Sequence, residues 1–457
     1  MWRSVSEKTS DILRISLMDF DMLGLAPRLT RALADQGLTQ PTPIQTQAIP
    51  HAMNGKDVMG LAQTGTGKTA AFGLPMIHAL LTAGTKPEAK TVRGLILAPT
   101  RELAKQITDN LRAYTEGSHL KVQLVVGGVG LGPQVKRLER GADLLVATPG
   151  RLLDLLDRKA MRLDETQFLV LDEADQMLDL GFIHALRKIA SLLPAQRQTM
   201  LFSATMPKQM EEIAGKYLNN PVRVQVSPPG KTADKVTQKI HFIAQAEKSK
   251  LLIELLGEHR KELALVFSRT KHGAEKLMKS LVNAGFTAVS VHGNKSQGQR
   301  TRALETFKAE EAMIMVATDV AARGLDIPGV RHVYNYDLPN VAENYVHRIG
   351  RTARAGRDGA AIAFCAPDEI GCLKDIEKVI KLDIPVASGR RWEPSHGDAA
   401  KPSGRSGGGR RGGPGGQGRG PAKGGAPKAG KPKPQGKPAG VRRNKRPAGG
   451  GRTKTAA

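Results

Sequence analysis

Short apolar runs alternate with longer helical stretches along most of this chain. From about Asp19 to Val226 the runs are "DVMGLA" (57–62), "GLILAPT" (94–100), "VQLVVGG" (122–128), "DLLVAT" (143–148), "FLVLDE" (168–173) and "TMLFSAT" (199–205). Each is apolar nearly throughout, not at every second position. Strands buried on both faces read this way, and when helices separate them they form parallel sheets. The stretch "VSPPGKTADK" (226–235), with two prolines and a glycine, breaks the pattern and reads as a joint. A second alternation follows: "ELALVFSRT" (262–270), "TAVSVHG" (287–293), "AMIMVATD" (312–319), "HVYNYDLP" (332–339) and "GAAIAFCA" (359–366). The expected fold class is α/β, with two tandem parallel-sheet domains at 19–226 and 236–388 joined by a linker at 227–235. Open parallel sheets bind ligands beyond the carboxyl ends of their strands, so the chemistry is sought there.

Composition changes this picture mainly at the ends. The chain has 457 residues, 40% of them hydrophobic and 4% aromatic, so its cores are aliphatic. Its two cysteines, Cys365 and Cys372, make neither a disulfide framework nor a zinc pattern, which suits a reducing cytoplasm. No apolar run reaches the roughly 18 residues of a membrane span, so no membrane partner is expected. The formal net charge is +26, and sixteen Lys and Arg with no acid fall between Lys401 and Ala457. A Gly, Pro, Lys and Arg-rich tail at 389–457 has little to bury and is expected to be disordered. Its charge suits a polyanion such as nucleic acid, against the plainer reading of a solubilising tail. Residues 1–18 mix acids and bases and read as a disordered extension, or as sequence ahead of a start at Met18.

Chemistry enters after the first strand. "AQTGTGKT" (62–69) has the form of a phosphate-binding loop, with Ala62 in place of the first glycine. Gly65 and Gly67 let backbone amides turn toward a phosphate, Lys68 reaches terminal phosphates, and the Thr69 hydroxyl suits Mg2+. Such a loop needs a carboxylate from a second strand. "FLVLDEADQML" (168–178) supplies one, placing Asp172 for the metal and Glu173 as base or orienting group for the attacking water.

The sequence Asp172-Glu173-Ala174-Asp175 is the signature of the DEAD-box ATP-dependent RNA helicases, and the chain resembles that family over about residues 19–385. "SRTKHGAEKL", "HGNKSQGQRTRALETFK" and "NYDLPNVAENYVHRIGRTARAG" are most similar to the bacterial RhlE-type subgroup. The resemblance implies two RecA-like domains, the first for ATP binding and the second the helicase C-terminal domain. It implies that "GLTQPTPIQ" (37–45) reads adenine through Gln45, with Phe20 as an upstream aromatic, and that Thr64, Gly65, Thr66 and Gly67 join Lys68 and Thr69 around the phosphates. Leu38 stands where the family usually has Phe or Tyr, so weaker ATP binding is expected.

Further implied positions follow motif by motif. "PTRELA" (99–104), Gly127-Gly128 and "TPGR" (148–151) resemble RNA-backbone contacts, carried by Thr100, Arg101, Gly128, Thr148 and Arg151. "SAT" (203–205) links hydrolysis to duplex opening, with Ser203 and Thr205 expected to bond Asp175. In the second domain Thr270, Arg300, Thr318 and Asp319 face RNA or its coupling network, and Asp326 accepts from the ribose. In "HRIGRTAR" (347–354), Arg351 and Arg354 lie three apart on one helical face and resemble arginine fingers. His347 is assigned to the contact between domains, and Ala353 replaces the family's usual glycine.

The expected activity is that of an ATP-dependent RNA helicase. It binds ATP–Mg2+ and structured or duplex RNA without sequence preference, and it unwinds short duplexes or remodels RNA–protein complexes. A monomer is expected, with ribosomal precursors or RNA-degradation machinery as partners. Two other classes remain open: an RNA annealing factor dominated by the basic tail, and a DNA-translocating motor on the same paired-domain fold.

Overall fold

The structure, a computed structural model, describes residues 19–62, 65–206, 208–226, 236–322, 327, 329–353 and 358–392. The expectations for residues 1–18, the linker 227–235, most of the tail, Thr64, Asp326 and Arg354 fall outside the described residues.

The first sheet contains β1 (Val58–Leu61), β2 (Val92–Leu97), β3 (Val122–Val125), β4 (Ala142–Ala147), β5 (Phe168–Leu171), β6 (Gln198–Ser203) and β7 (Val222–Gln225). All pairings are parallel, in the order β3-β4-β2-β5-β6-β1-β7. The second sheet contains β8 (Val236–Phe242), β9 (Leu263–Phe267), β10 (Ala288–Val291), β11 (Ile314–Ala317), β12 (Val330–Asn335), β13 (Gly359–Cys365) and β14 (Val386–Ser388). Its order is β10-β11-β9-β12-β13-β8-β14, again all parallel. Counted from the start of each domain, the two orders are identical, so every strand has a counterpart in the other domain.

Period-two geometry explains the continuous apolar runs. Along β4, Leu144 and Val146 enter one core cluster, while Leu145 and Ala147 enter the cluster on the other face. Each fully buried leucine or valine contributes about 1.5–3 kcal/mol. The apolar pattern misses β7, β8 and β14. Polar residues interrupt β7 and the first half of β8, and β14 is exposed throughout at the sheet edge. Hydrogen-bond pairing, more than burial, makes β14 and the first half of β8 strands.

Two close approaches shape the first domain. A side chain at Gly60 on β1 would sit 2.6 Å from the Phe202 ring, so only glycine lets β1 pack there. The buried Arg93 Nε donates to Asp143 Oδ1 at 3.1 Å, and Asp143 Oδ2 accepts the Lys121 N–H at 2.6 Å. That carboxylate pins β2 to β4 and to the lead-in of β3.

Candidate functional site

β1 ends at Leu61, and the chain enters the helix Lys68–Ala83 through Gly65 (φ +85°) and Gly67 (φ +89°). A side chain at Gly67 would collide with Gln45 Nε2 at 2.4 Å. The Gln45 amide is held at both ends: Nε2 donates to the Gly67 carbonyl at 3.0 Å, and Oε1 accepts the Thr42 N–H at 2.9 Å. One N–H and one lone-pair site of the amide remain for another partner. Gln45 therefore braces the loop as well as facing it, a link between positions 22 residues apart. Thr66 lies partly exposed in the turn, and Thr69 partly exposed in the first helical turn.

Lys68 Nζ donates to the Ala62 carbonyl at 3.2 Å and stands 3.7 Å from Asp172 Oδ1. Both side chains are buried. Asp172 Oδ1 also accepts the Glu173 N–H at 3.0 Å. Burial pushes the Asp172 carboxyl up to about 6 against the opposing pull of Lys68. A carboxylate so desolvated favours an added cation. Asp172 and Thr69 offer only oxygen, the donor type Mg2+ takes, so these residues fit that ion. Glu173 adopts φ +50°, ψ +51°, a left-handed conformation that turns β5 sharply into the helix Ala174–Asp179. For a non-glycine residue this costs about 1–2 kcal/mol.

Asp175 separates from its two neighbours. Its Oδ2 accepts the Ala204 N–H at 3.1 Å, the Thr205 N–H at 2.9 Å and the Thr205 hydroxyl at 3.0 Å, and its Oδ1 accepts the Gln176 N–H at 2.9 Å. The expectation for Ser203 needs correcting. Its hydroxyl donates to the Thr205 carbonyl at 2.7 Å, so it shapes the turn that presents Thr205. Phe20 is taken into the first-domain core beside Leu23 and Leu29, and Leu38 is 41% exposed.

The RNA-facing candidates fall where strands run into helices. Thr100, beyond β2, caps the helix Arg101–Tyr114 by accepting the Leu103 N–H at 3.2 Å. Thr270, beyond the counterpart strand β9, caps Lys271–Asn283 by accepting the Gly273 N–H at 2.9 Å. Thr148 and Thr318 likewise follow the counterparts β4 and β11. Thr100 and Thr270 thus have a structural reason to exist besides any ligand.

Thr100, Arg101, Thr148, Arg151 and Arg300 converge on one cleft of about 430 Å³ that is also lined by Val320. The Arg101 guanidinium lies on Gly128, where a side chain would approach Nη1 to 1.8 Å. Arg101 Nη1 donates to Gln297 Oε1 at 3.1 Å, Gln297 Nε2 donates to Glu102 Oε1 at 3.1 Å, and Arg300 Nη2 lies 3.0 Å from Glu102 Oε2. These four side chains clasp the two domains together. Burial, then the nearby Arg300 charge, lower the Arg101 pKa. Arg151 Nη1 donates to the Val129 carbonyl at 3.1 Å.

Sequence reading passes over Arg348, the middle basic residue between His347 and Arg351. It is 2% exposed, and its Nε and Nη2 hold Asp319 at 2.5 and 2.8 Å. It also donates to Asn335 Oδ1 at 3.1 Å and to the Asp337 carbonyl at 2.6 Å. The Asp319 carboxylate is therefore held inside the second domain by Arg348. Arg351 is buried, with Nε donating to the His347 carbonyl at 3.2 Å. Glu102 and Gln297 were passed over too, although both lie inside quoted motifs.

The strand correspondence also relates the phosphate loop to the second domain. The helix after β8 begins at Lys248, as the helix after β1 begins at Lys68. Lys248 Nζ lies 3.8 Å from Asp337, just beyond β12, the counterpart of β5. There Glu369 closes the position at 2.5 Å from Lys248, which is fully buried.

Residues 42–213 match the DEAD/DEAH box helicase family and residues 247–356 the helicase conserved C-terminal domain. The chain is 42% identical to the ATP-dependent RNA helicase CshA of Listeria monocytogenes, over 82% of its own length and 71% of that protein. This chain belongs to the DEAD-box ATP-dependent RNA helicases. It is 43% identical to a CshA of Limosilactobacillus reuteri, over 80% of its length and 72% of that protein. The helicase is also similar to Saccharomyces cerevisiae Dbp5 bound to RNA and ADP BeF3, at TM-score 0.73 and 33% identity, covering 80% of this chain and 94% of that one. Among the described residues, no helix of this DEAD-box protein is long and apolar enough to cross a membrane.

Proposed function

We propose that this DEAD-box helicase holds one ATP on its first domain, closes the second domain over it, and parts short RNA duplexes in the closed state. The observation that carries the reading is the buried Lys68–Asp172 pair beside Glu173, with Asp175 bonded separately to the Thr205 turn. Lys68, Gly65, Thr66, Gly67 and Thr64 bind the phosphates, and Gln45 takes the adenine with the remaining capacity of its amide. Thr69 and Asp172 would hold Mg2+, which neutralises phosphate charge when bound. Glu173 orients and deprotonates the attacking water. Arg351 and Arg354 meet developing phosphoryl charge, and Asp326 accepts from the ribose. Closure of the Lys248 position by Glu369 supports a single nucleotide per chain.

RNA follows the cleft of Thr100, Arg101, Thr148, Arg151 and Arg300, with Gly128, Thr270 and Thr318 beside it. Arg101 and Arg300 already engage across the domains, so RNA that binds both would favour closure and raise ATP affinity reciprocally. The RNA-bound relative supports RNA over DNA. Asp175, Ser203, Thr205, Asp319 and His347 carry the coupling.

The finer assignment is to an RhlE-type helicase of the cytoplasm acting on ribosomal precursors or in RNA turnover, on the strength of the second-domain motifs and the basic tail. The domain limits are 19–226 and 236–388. The deciding experiment compares ATPase stimulation by RNA and DNA of one sequence, since selectivity depends on the 2′-hydroxyl. Stronger stimulation by RNA is expected, and equal stimulation would favour a DNA motor. Removing residues 389–457 should leave duplex separation by the core; its loss would favour the tail-driven annealing factor.

A further inference from the structure

A second cluster of chemistry-bearing side chains lies on the opposite rim of the second sheet, where its strands begin. His259 follows the helix Lys248–Glu258 as its C-cap, Glu262 stands one residue before β9, and His332 lies on β12 opposite Ala264. Their ligand atoms all lie within 4.8 Å of one another, the one such group of three His, Cys, Asp or Glu among the described residues. The nucleotide and RNA candidates Thr270, Thr318 and Asp319 follow the other ends of these strands, so the cluster has no part in the site described above.

The arrangement has the marks of a metal site. Glu262 Oε2 faces both imidazoles: it is hydrogen-bonded to His332 Nε2 and lies 3.8 Å from His259 Nδ1. The two rings stack at 4.1 Å with an interplanar angle of 21°. His332 is 7% exposed, and its Nδ1 is buried with no hydrogen-bond partner. Glu258 Oε2, 3.9 Å from His259, adds negative charge, while Arg331 Nε at 4.0 Å from Glu262 partly offsets it.

We propose that His259, Glu262 and His332 bind a divalent transition-metal ion of the Zn2+ type, with water in the fourth position. Two imidazoles and one carboxylate select against Mg2+ and Ca2+, which take oxygen, and the lack of thiolate selects against Cu(I). Zinc bonds of roughly 2.0–2.2 Å place ligand atoms about 3.3 Å apart in a tetrahedron. Contraction from the present spacing needs only turns of His259 and Glu262, whose side chains are 36% and 41% exposed. The ion replaces the Glu262–His332 hydrogen bond and clips a helix end to two neighbouring strands. It acts as a staple of the second domain.

The test is calorimetric titration of the full chain with Zn2+ in excess Mg2+, for wild type, His259→Gln and Glu262→Gln. One zinc per wild-type chain is expected, with affinity at least about tenfold weaker in each variant. Zinc should raise the wild-type thermal midpoint but not that of His259→Gln, whose metal-free midpoint should equal wild type because its side chain is partly exposed. X-ray absorption of the loaded protein should show two imidazoles and oxygen at the metal. No zinc uptake by wild type, or equal affinity in either variant, overturns the proposal. RNA-stimulated ATPase is not the readout, so the result stands apart from the helicase assignment.

Discussion

Asp175 Oδ2 and Thr205 are joined twice, through the Thr205 N–H at 2.9 Å and its hydroxyl at 3.0 Å. The last acid of the DEAD sequence and the last residue of "SAT" are therefore one structural unit. Hydrogen bonds to a charged group contribute about 1.5–3 kcal/mol. Thr205→Val removes the hydroxyl while keeping size and the N–H. Duplex separation should fall about tenfold, the equivalent of about 1.4 kcal/mol, with RNA-stimulated ATPase within about twofold of wild type. A parallel loss of ATPase would place Thr205 in hydrolysis instead of coupling.

Glu173→Gln keeps the volume and the strained turn but removes the basic oxygen. Binding of ATP and RNA should persist while turnover falls by about 10²–10⁴, the usual worth of general base catalysis. Nucleotide binding measured by fluorescence alongside phosphate release separates the two. Loss of ATP binding would contradict the role.

Ala353 sits at φ +55°, in the left-handed region that favours glycine. Its methyl is therefore a source of strain as well as of bulk. Ala353→Gly should stabilise the folded chain by about 1 kcal/mol, the left-handed penalty less the added freedom of the unfolded glycine. Chemical denaturation of the full chain measures it. A lower stability would show that packing of the methyl outweighs the strain.

Glu275 accepts from Ser290 Oγ at 2.6 Å and His292 Nε2 at 3.1 Å, and pairs with Lys295 at 2.9 Å. Chiefly through the Ser290 bond, its carboxyl is held down at about 2, against an ordinary 4.5. The folded pKa lies below the unfolded one, so its stabilisation is present above pH 4.5 and lost as pH falls through about 2. Glu275→Gln should lower stability at neutral pH and flatten the acid limb of the stability profile. Unchanged acid sensitivity would contradict this pinning of the loop ahead of Gln297 and Arg300.

Most of what acts locally was legible beforehand. Strands such as β4, buried on both faces, must be apolar at every position, and that shows in the sequence. A phosphate loop needs glycine at positive φ followed by Lys68, and a strand-end acid such as Asp172 needs a cation; both requirements fall within a few consecutive residues. Two tandem α/β domains and a nucleotide chemistry could thus be expected from sequence alone. The tertiary structure decided the rest: Arg348 on Asp319, the Ser203 hydroxyl on the Thr205 carbonyl, the clasp of Arg101 and Glu102 on Gln297 and Arg300, and the meeting of His259 and Glu262 with His332. Partners 29 to 198 residues apart leave no periodic trace in the sequence. Their contact is set by strand order and register, which depend on the packing of the whole sheet.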